Sequence, residues 1–135
     1  MPFYNFITDR SLLNMQQKEQ IAVEITDMHC ELTGAPRQFV HVLFSHFDAG
    51  DAYTAAGPSE FSFVRAALRA GRSPEVKLEV LNRISDIWTR IAKNANPDNL
   101  LISIAETPLG NVMESGLLLP DPKNDREWMQ KNNFQ

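Results

Sequence analysis

Two stretches of the chain carry the apolar spacing of amphipathic helices, and four shorter ones carry the aromatic and β-branched character of strands. From about Asn14 to Thr33, apolar Ile21, Ile25, Met28 and Leu32 recur at i, i+4, i+7 and i+11, one stripe along a helix that Gly34 and Pro36 terminate. Val76, Val80, Ile84, Ile87 and Ile91 draw a second stripe. Its start is marked by Ser73 as N-cap, Pro74 at the first helical position and Glu75 in the first turn, and its end is expected near Lys93. Residues 2 to 8 read as a strand that begins at the N-terminus and stops at Asp9-Arg10-Ser11. Phe39 to Phe44, Phe61 to Arg69 and Leu100 to Ile104 supply three more. The order is β-α-β followed by β-α-β.

The two halves also match locally. Ile25-Thr26-Asp27 stands 59 residues before Ile84-Ser85-Asp86, and Ala35-Pro36 stands 61 before Asn96-Pro97, the signature of a duplication. Phe61 is then the counterpart of Pro2, so only one half keeps the proline. This predicts a single domain of mixed α/β (α+β) class, built of halves spanning about 1–58 and 59–120 with a tail over 121–135. Right-handed crossovers place both helices on one face of a four-stranded sheet. No second helical layer exists to cover the other face, which is therefore expected to be buried between subunits.

At 135 residues the chain fits one domain, and 43% apolar with 22% charged residues is the balance of a folded globular protein. A net charge of −4, with Lys and Arg dispersed among acids, excludes a nucleic-acid-binding surface. The lone Cys30 cannot close an internal disulfide, and the N-terminus has neither the basic nor the apolar region of a signal peptide, so a reducing, cytoplasmic home is expected. No apolar run approaches the roughly 20 residues of a membrane span. His41 and His46 fall on opposite faces of a strand and its exit and make no metal set with His29; no metal is predicted. Cys30 and His29, adjacent on a helix, point about 100° apart and form no thiol–imidazole pair. Nucleotide, nicotinamide and serine-hydrolase fingerprints are missing, which leaves cofactor-free chemistry.

A strand opening Met1-Pro2 in a doubled β-α-β chain resembles the tautomerase superfamily, in which Met removal leaves a proline with a free secondary amine. More narrowly, the chain resembles the cis-3-chloroacrylic acid dehalogenase group. The resemblance rests on Met1-Pro2, on Ile25-Thr26-Asp27-Met28-His29 with Leu32-Thr33-Gly34, and on Leu68-Arg69-Ala70-Gly71-Arg72-Ser73. It continues through Ala105-Glu106-Thr107-Pro108 and from Met113-Glu114 by way of Gly116 to Leu119-Pro120. It implies Pro2 as the catalytic amine, Arg69 and Arg72 as the carboxylate clamp, His29 as a polar contact to substrate or water, and Glu114 as a water-positioning carboxylate. It also implies a homotrimer. Where the dehalogenases carry a tyrosine on the fourth strand, alignment places Ser103, whose hydroxyl is too short to replace a phenol. That counts against dehalogenation, with Tyr4 or Tyr53 the candidates to substitute in space.

The residues themselves support such roles. An α-amino group titrates near 8, closer to neutrality than lysine, and burial or a neighbouring guanidinium lowers it further. Neutral, Pro2 takes a proton; held protonated by Glu114, it gives one. Paired guanidinium forks at a strand end bind a small carboxylate bidentately. Two enzymatic versions follow for a 2-oxo or α,β-unsaturated carboxylate: a tautomerase that needs no water, and a hydratase in which Glu114 orients one. The competing class is a non-catalytic binding or signalling module that keeps the carboxylate pocket. Trp128, Met129 and Phe134 in the tail are expected to anchor it on a neighbouring subunit.

Overall fold

The computed structural model describes residues 1–134. Its elements in chain order are β1 (Phe3–Asp9), α1 (Met15–Thr33), β2 (His41–Phe47), β3 (Tyr53–Thr54), β4 (Gly57–Pro58) and β5 (Ser62–Arg69). They continue with α2 (Pro74–Ile91), β6 (Leu100–Thr107), β7 (Met113–Glu114), β8 (Leu117–Leu118) and α3 (Asp125–Lys131). Corresponding elements of the two halves start 59 or 60 residues apart, including the small hairpins β3–β4 and β7–β8.

Both long helices start and stop for local reasons. The Asn14 side chain accepts from the Gln17 N–H at 2.8 Å while the Gln17 side chain accepts from the Asn14 N–H at 2.9 Å, so two donors that the first turn would leave unpaired are satisfied reciprocally. Gly34, at φ +74, closes α1 with its N–H on the Cys30 carbonyl. Ser73 caps α2 through the Val76 N–H, with Pro74 entering the first turn.

The main sheet runs β2-β1-β5-β6, with β1 parallel to β2, β5 parallel to β6, and the two halves joined antiparallel through β1 and β5. Even-numbered side chains of the central strands, Tyr4 and Phe6 from β1 and Val64, Ala66 and Leu68 from β5, meet Ile21, Ile25 and Met28 of α1 and Val80, Ile84, Ile87, Trp88 and Ile91 of α2. Phe6 stacks between Phe44 and Trp88, with centroids 5.4 and 6.0 Å away. Each such side chain fully withdrawn from water contributes about 1.5–3 kcal/mol, which makes this layer the main source of stability. The opposite face stays uncovered in the single chain, exposing Phe3, Leu43 and Leu101 around polar Arg65 and Ser103.

Two expectations shift in detail. A single turn of 3-10 helix at Arg37–Phe39 delays β2, which begins at His41 and runs to Phe47. β6 continues past Ile104 to Thr107, because it pairs along the full length of β5 as far as Arg69. This register determines where the chemistry lies. Phe3 pairs with Ala67 on one side and His41 on the other, so Met1 and Pro2, one step further on, lie at the sheet end where β5 delivers Arg69.

Candidate functional site

Six segments converge at this sheet end: the starts of β1 and β2, the end of β5 with its exit, α1, α3 and a hairpin. The hairpin β7–β8, whose tight turn takes Ser115 and Gly116 to positive φ, swings Glu114 over the start of β1. One carboxylate oxygen of Glu114 pairs with the Met1 amine, and the other lies 2.7 Å from His41 Nε2 at the start of β2. Pro2 is fully buried beneath Met1, its carbonyl accepting from the His41 N–H at 3.1 Å. Burial, and after it the Arg69 guanidinium, pulls the chain-terminal amine down to about 5. The Glu114 contact works in the opposite direction by favouring the charged form.

Beneath the amine lies a neutral pair. Tyr4 Oη and His29 Nδ1 are 2.7 Å apart, both buried under α1. Burial, with lesser contributions from Arg72, the chain terminus and Arg69, lowers the His29 imidazolium to about 3, and burial raises the Tyr4 phenol well above its ordinary range. Both groups are uncharged at neutral pH. When the phenol donates to Nδ1, His29 keeps Nε2–H as a donor and has no proton-accepting role to play.

The arginines are not equally available. Arg69, 8% exposed, forks onto Asp125 at 2.7 and 2.8 Å and also donates to the Pro120 carbonyl at 2.7 Å. Both terminal nitrogens of its fork are engaged within the chain. Arg72 reaches the same carboxylate only at 3.5 Å, and burial followed by the charge of Arg69 pulls its pKa down. It is the under-compensated cation of the site.

Asp125 belongs to α3, and the tail is held on its own chain rather than only by a neighbour as expected. Trp128 and Phe134 stack at 5.4 Å, and both lie against Phe39, at 6.0 and 4.8 Å. The close approach depends on Gly71, at φ +111, where a Cβ would meet Pro122 Cδ at 3.2 Å. Gly71→Ala is therefore expected to cost about 1–2 kcal/mol, since left-handed backbone and tail contact both penalise it. Denaturant unfolding and faster proteolysis after Pro120 would register the change.

Met1, Phe39, Leu119, Arg69, Asp125 and Trp128 enclose a hollow of only about 10 Å³, so the Met1 side chain and the tail already fill the space beside the guanidiniums. Ser103 lies elsewhere. It faces Arg65 on the uncovered side, four positions down β6 from the Thr107 that pairs with Arg69, or about 13 Å along the strand. Tyr53 is exposed at the far end of the sheet, and Tyr4 is committed to His29, so neither phenol replaces the missing tyrosine within one chain. The structure thus brings Pro2, His29, Tyr4, Arg69, Arg72 and Glu114 together and leaves Ser103 out. Burial raises the Cys30 thiol, which keeps it a poor nucleophile. Among the described residues, no group of His, Cys, Asp and Glu is arranged to hold a metal ion. Nor, among the described residues, is any helix long and apolar enough to cross a membrane.

Sequence reasoning missed His41 and Asp125. His41 was discoverable by parity: an odd-numbered β2 residue paired with Phe3 must flank the chain start. Asp125 carried only the weak signal of Asp121-Pro122 as a helix entry, which does not say where the helix will dock.

The fold and site have counterparts among known proteins. The profile of the Tautomerase_3 family, described as "Putative oxalocrotonate tautomerase enzyme", matches residues 1–133. No curated protein matches the chain by sequence. Among solved structures, N1, a member of the cis-3-chloroacrylic acid dehalogenase family, is 26% identical over 95% of this chain and 90% of its own, with a TM-score of 0.88. The protein Ps01740 is 29% identical over 83% of this chain and 99% of its own, at a TM-score of 0.80. The asymmetric trimer of the F6 fused 4-OT, 18% identical over 93% of this chain and 98% of its own at a TM-score of 0.77, shares the fold. With a profile match that runs nearly end to end and the same doubled architecture in its neighbours, the chain belongs to the tautomerase superfamily, in the family Tautomerase_3.

Proposed function

We propose that the chain is a cofactor-independent tautomerase that uses the secondary amine of Pro2, freed by removal of Met1, on a small 2-oxo or enol carboxylate. The observation that carries this reading is the seat of the chain terminus, a partly buried amine held between Glu114 and the field of Arg69. Once freed, the Pro2 nitrogen also lies near Arg69, whose charge favours the neutral, proton-accepting form that this reading requires. Arg72 takes the substrate carboxylate, because Arg69 is already satisfied by Asp125. The His29 Nε2–H supplies a neutral donor to the substrate oxygen. Pro2 accepts the enol hydroxyl proton and returns it to the adjacent carbon, giving the 2-oxo acid with no net change in atoms.

The Glu114–His41 contact supports a second reading, hydration of an α,β-unsaturated acid, in which this pair orients a water while protonated Pro2 delivers a proton to the α-carbon. The working unit in either case is a homotrimer that covers the exposed sheet face. A reducing cytoplasm suits the free Cys30.

Ketonisation of phenylenolpyruvate tests the first reading, with hydration of small acrylates and propiolates assayed beside it. Pro2→Ala is expected to lower kcat/KM about 10²–10⁴-fold, the range for losing a positioned proton-transfer group. Proline-dependent hydration without ketonisation would select the hydratase version. No proline-dependent turnover on either substrate class would identify a binding module.

A further inference from the structure

The duplication gives the site a mirror position at the other end of the sheet, and there the chain has built something different. In the strand ladders Asp9 pairs with Phe47 as Arg69 pairs with Thr107, which makes Asp9 the counterpart of Arg69. At an offset of 60 residues Ser59 and Glu60 follow hairpin β3–β4 as Leu119 and Pro120 follow β7–β8, and Phe61 stands for Met1, one residue from the Phe61–Pro2 match expected at the offset of 59, which the long helices keep and which makes Asn94 the counterpart of Ala35. These replacement residues line one cavity of about 340 Å³, against the roughly 10 Å³ left at the first position. The difference has a plain cause. At the first end Met1 and the tail carrying Asp125, Trp128 and Met129 fill the space, whereas after the first half the chain passes directly into β5 and no tail is left to close the hollow.

The charge is inverted as well. Asp9 and Glu60 line the cavity and no Lys or Arg does. The neighbouring Arg10 is turned to Asp48, at 2.8 Å. Asp9 spends one oxygen on Ser11, at 2.9 and 2.6 Å, while no ion pair is formed by Glu60 among the described residues. Ser62, only 2% exposed, adds a hydroxyl without a hydrogen-bond partner among the described residues. The Phe47 and Phe61 side chains supply the aromatic wall that favours a cation over a neutral group of equal size. We infer that this cavity is a second ligand site, separate from the Pro2 pocket, that takes a small organic cation with an amino or guanidino head and a short apolar body.

Agmatine is a suitable probe, titrated into the full-length assembled protein and followed by amide chemical shifts. Saturable shifts confined to residues 59–62 and 94–99 are expected. Glu60→Gln should weaken binding about tenfold, as losing one charge-assisted contact does. Asp9→Asn should act likewise, but its Ser11 contacts make Glu60→Gln the decisive variant. Glu79→Gln, an exposed acid on α2, should leave binding unchanged, and phenylenolpyruvate ketonisation should be the same in Glu60→Gln as in wild type. The inference is overturned by shifts that rise linearly and spread over the acidic surface, by shifts centred on the Met1–Arg69 end, by wild-type affinity in Glu60→Gln, or by no binding at all. None of these outcomes depends on whether Pro2 is catalytic.

Discussion

Asp125→Asn is expected to move two properties in opposite directions, lowering stability by about 3 kcal/mol while lowering KM for a carboxylate substrate roughly tenfold. The stability loss follows from the burial of Arg69, whose fork keeps only the Pro120 carbonyl and a single amide oxygen once the charge is gone. Removing one partner of a buried ion pair costs about 3–5 kcal/mol. The lower end applies because Asp125 is 15% exposed and water can reach the vacated position. The KM effect comes from removing an internal competitor. Asp125 is itself a carboxylate seated beside Arg72, which takes the substrate acid in the proposed reading, so neutralising it raises the positive field there by one charge. Tenfold corresponds to about 1.4 kcal/mol, well within what one charge contributes a few ångströms away at an effective dielectric near 20. Denaturant unfolding and Michaelis kinetics measure the two properties independently. A KM that rises with stability unchanged would make Asp125 a substrate contact and leave Arg69 outside the carboxylate site.

The contrast between the arginines shows where sequence reasoning reached its limit. The helices were legible because their apolar stripes report a contact that every helix on a sheet must make; Ile21, Ile25, Met28 and Val80, Ile84, Ile87 are all buried on that interface. A four-stranded sheet with both helices on one face followed from the duplication and the handedness of crossovers, whereas the antiparallel pairing of Phe3 with Ala67, which brings Pro2 to the end of β5, came only from the structure. Hairpins β3–β4 and β7–β8 were not legible, because two-residue strands carry no period. Residues such as Arg69 and Arg72 can be chosen from sequence by chemistry and place. Which of them is free depends on a long-range docking event, the closure of α3 over Gly71, whose determinants are a left-handed glycine and an aromatic cluster of Phe39, Trp128 and Phe134. No local pattern joins residues so far apart in the chain.

The most severe loss of activity is expected from a change that leaves every side chain in place. Inserting one alanine between Met1 and Pro2 should abolish ketonisation, a fall of about 10⁴-fold or more, while leaving the unfolding transition within about 0.5 kcal/mol of wild type. Removal of Met1 from such a chain leaves alanine ahead of Pro2, whose nitrogen is then an amide without a basic lone pair. The fold accepts a residue there: with Met1 present, its amine sits on Glu114, its side chain fills the hollow beside Arg69, and β1 still pairs with β2 and β5 from Phe3 onward. Loss of activity with retained stability would therefore report chemistry rather than misfolding. Pro2→Ala, which keeps a terminal amine but not a secondary one, should fall between the two. Wild-type kcat/KM should rise with pH on the acid side and be level by pH 7, because burial and Arg69 hold an amine at this position below its ordinary range and a base must be deprotonated to act. If the alanine insertion kept wild-type turnover, the reacting base would have to be another group, and Glu114, bonded to His41 and paired with the chain-terminal amine, would be the next candidate.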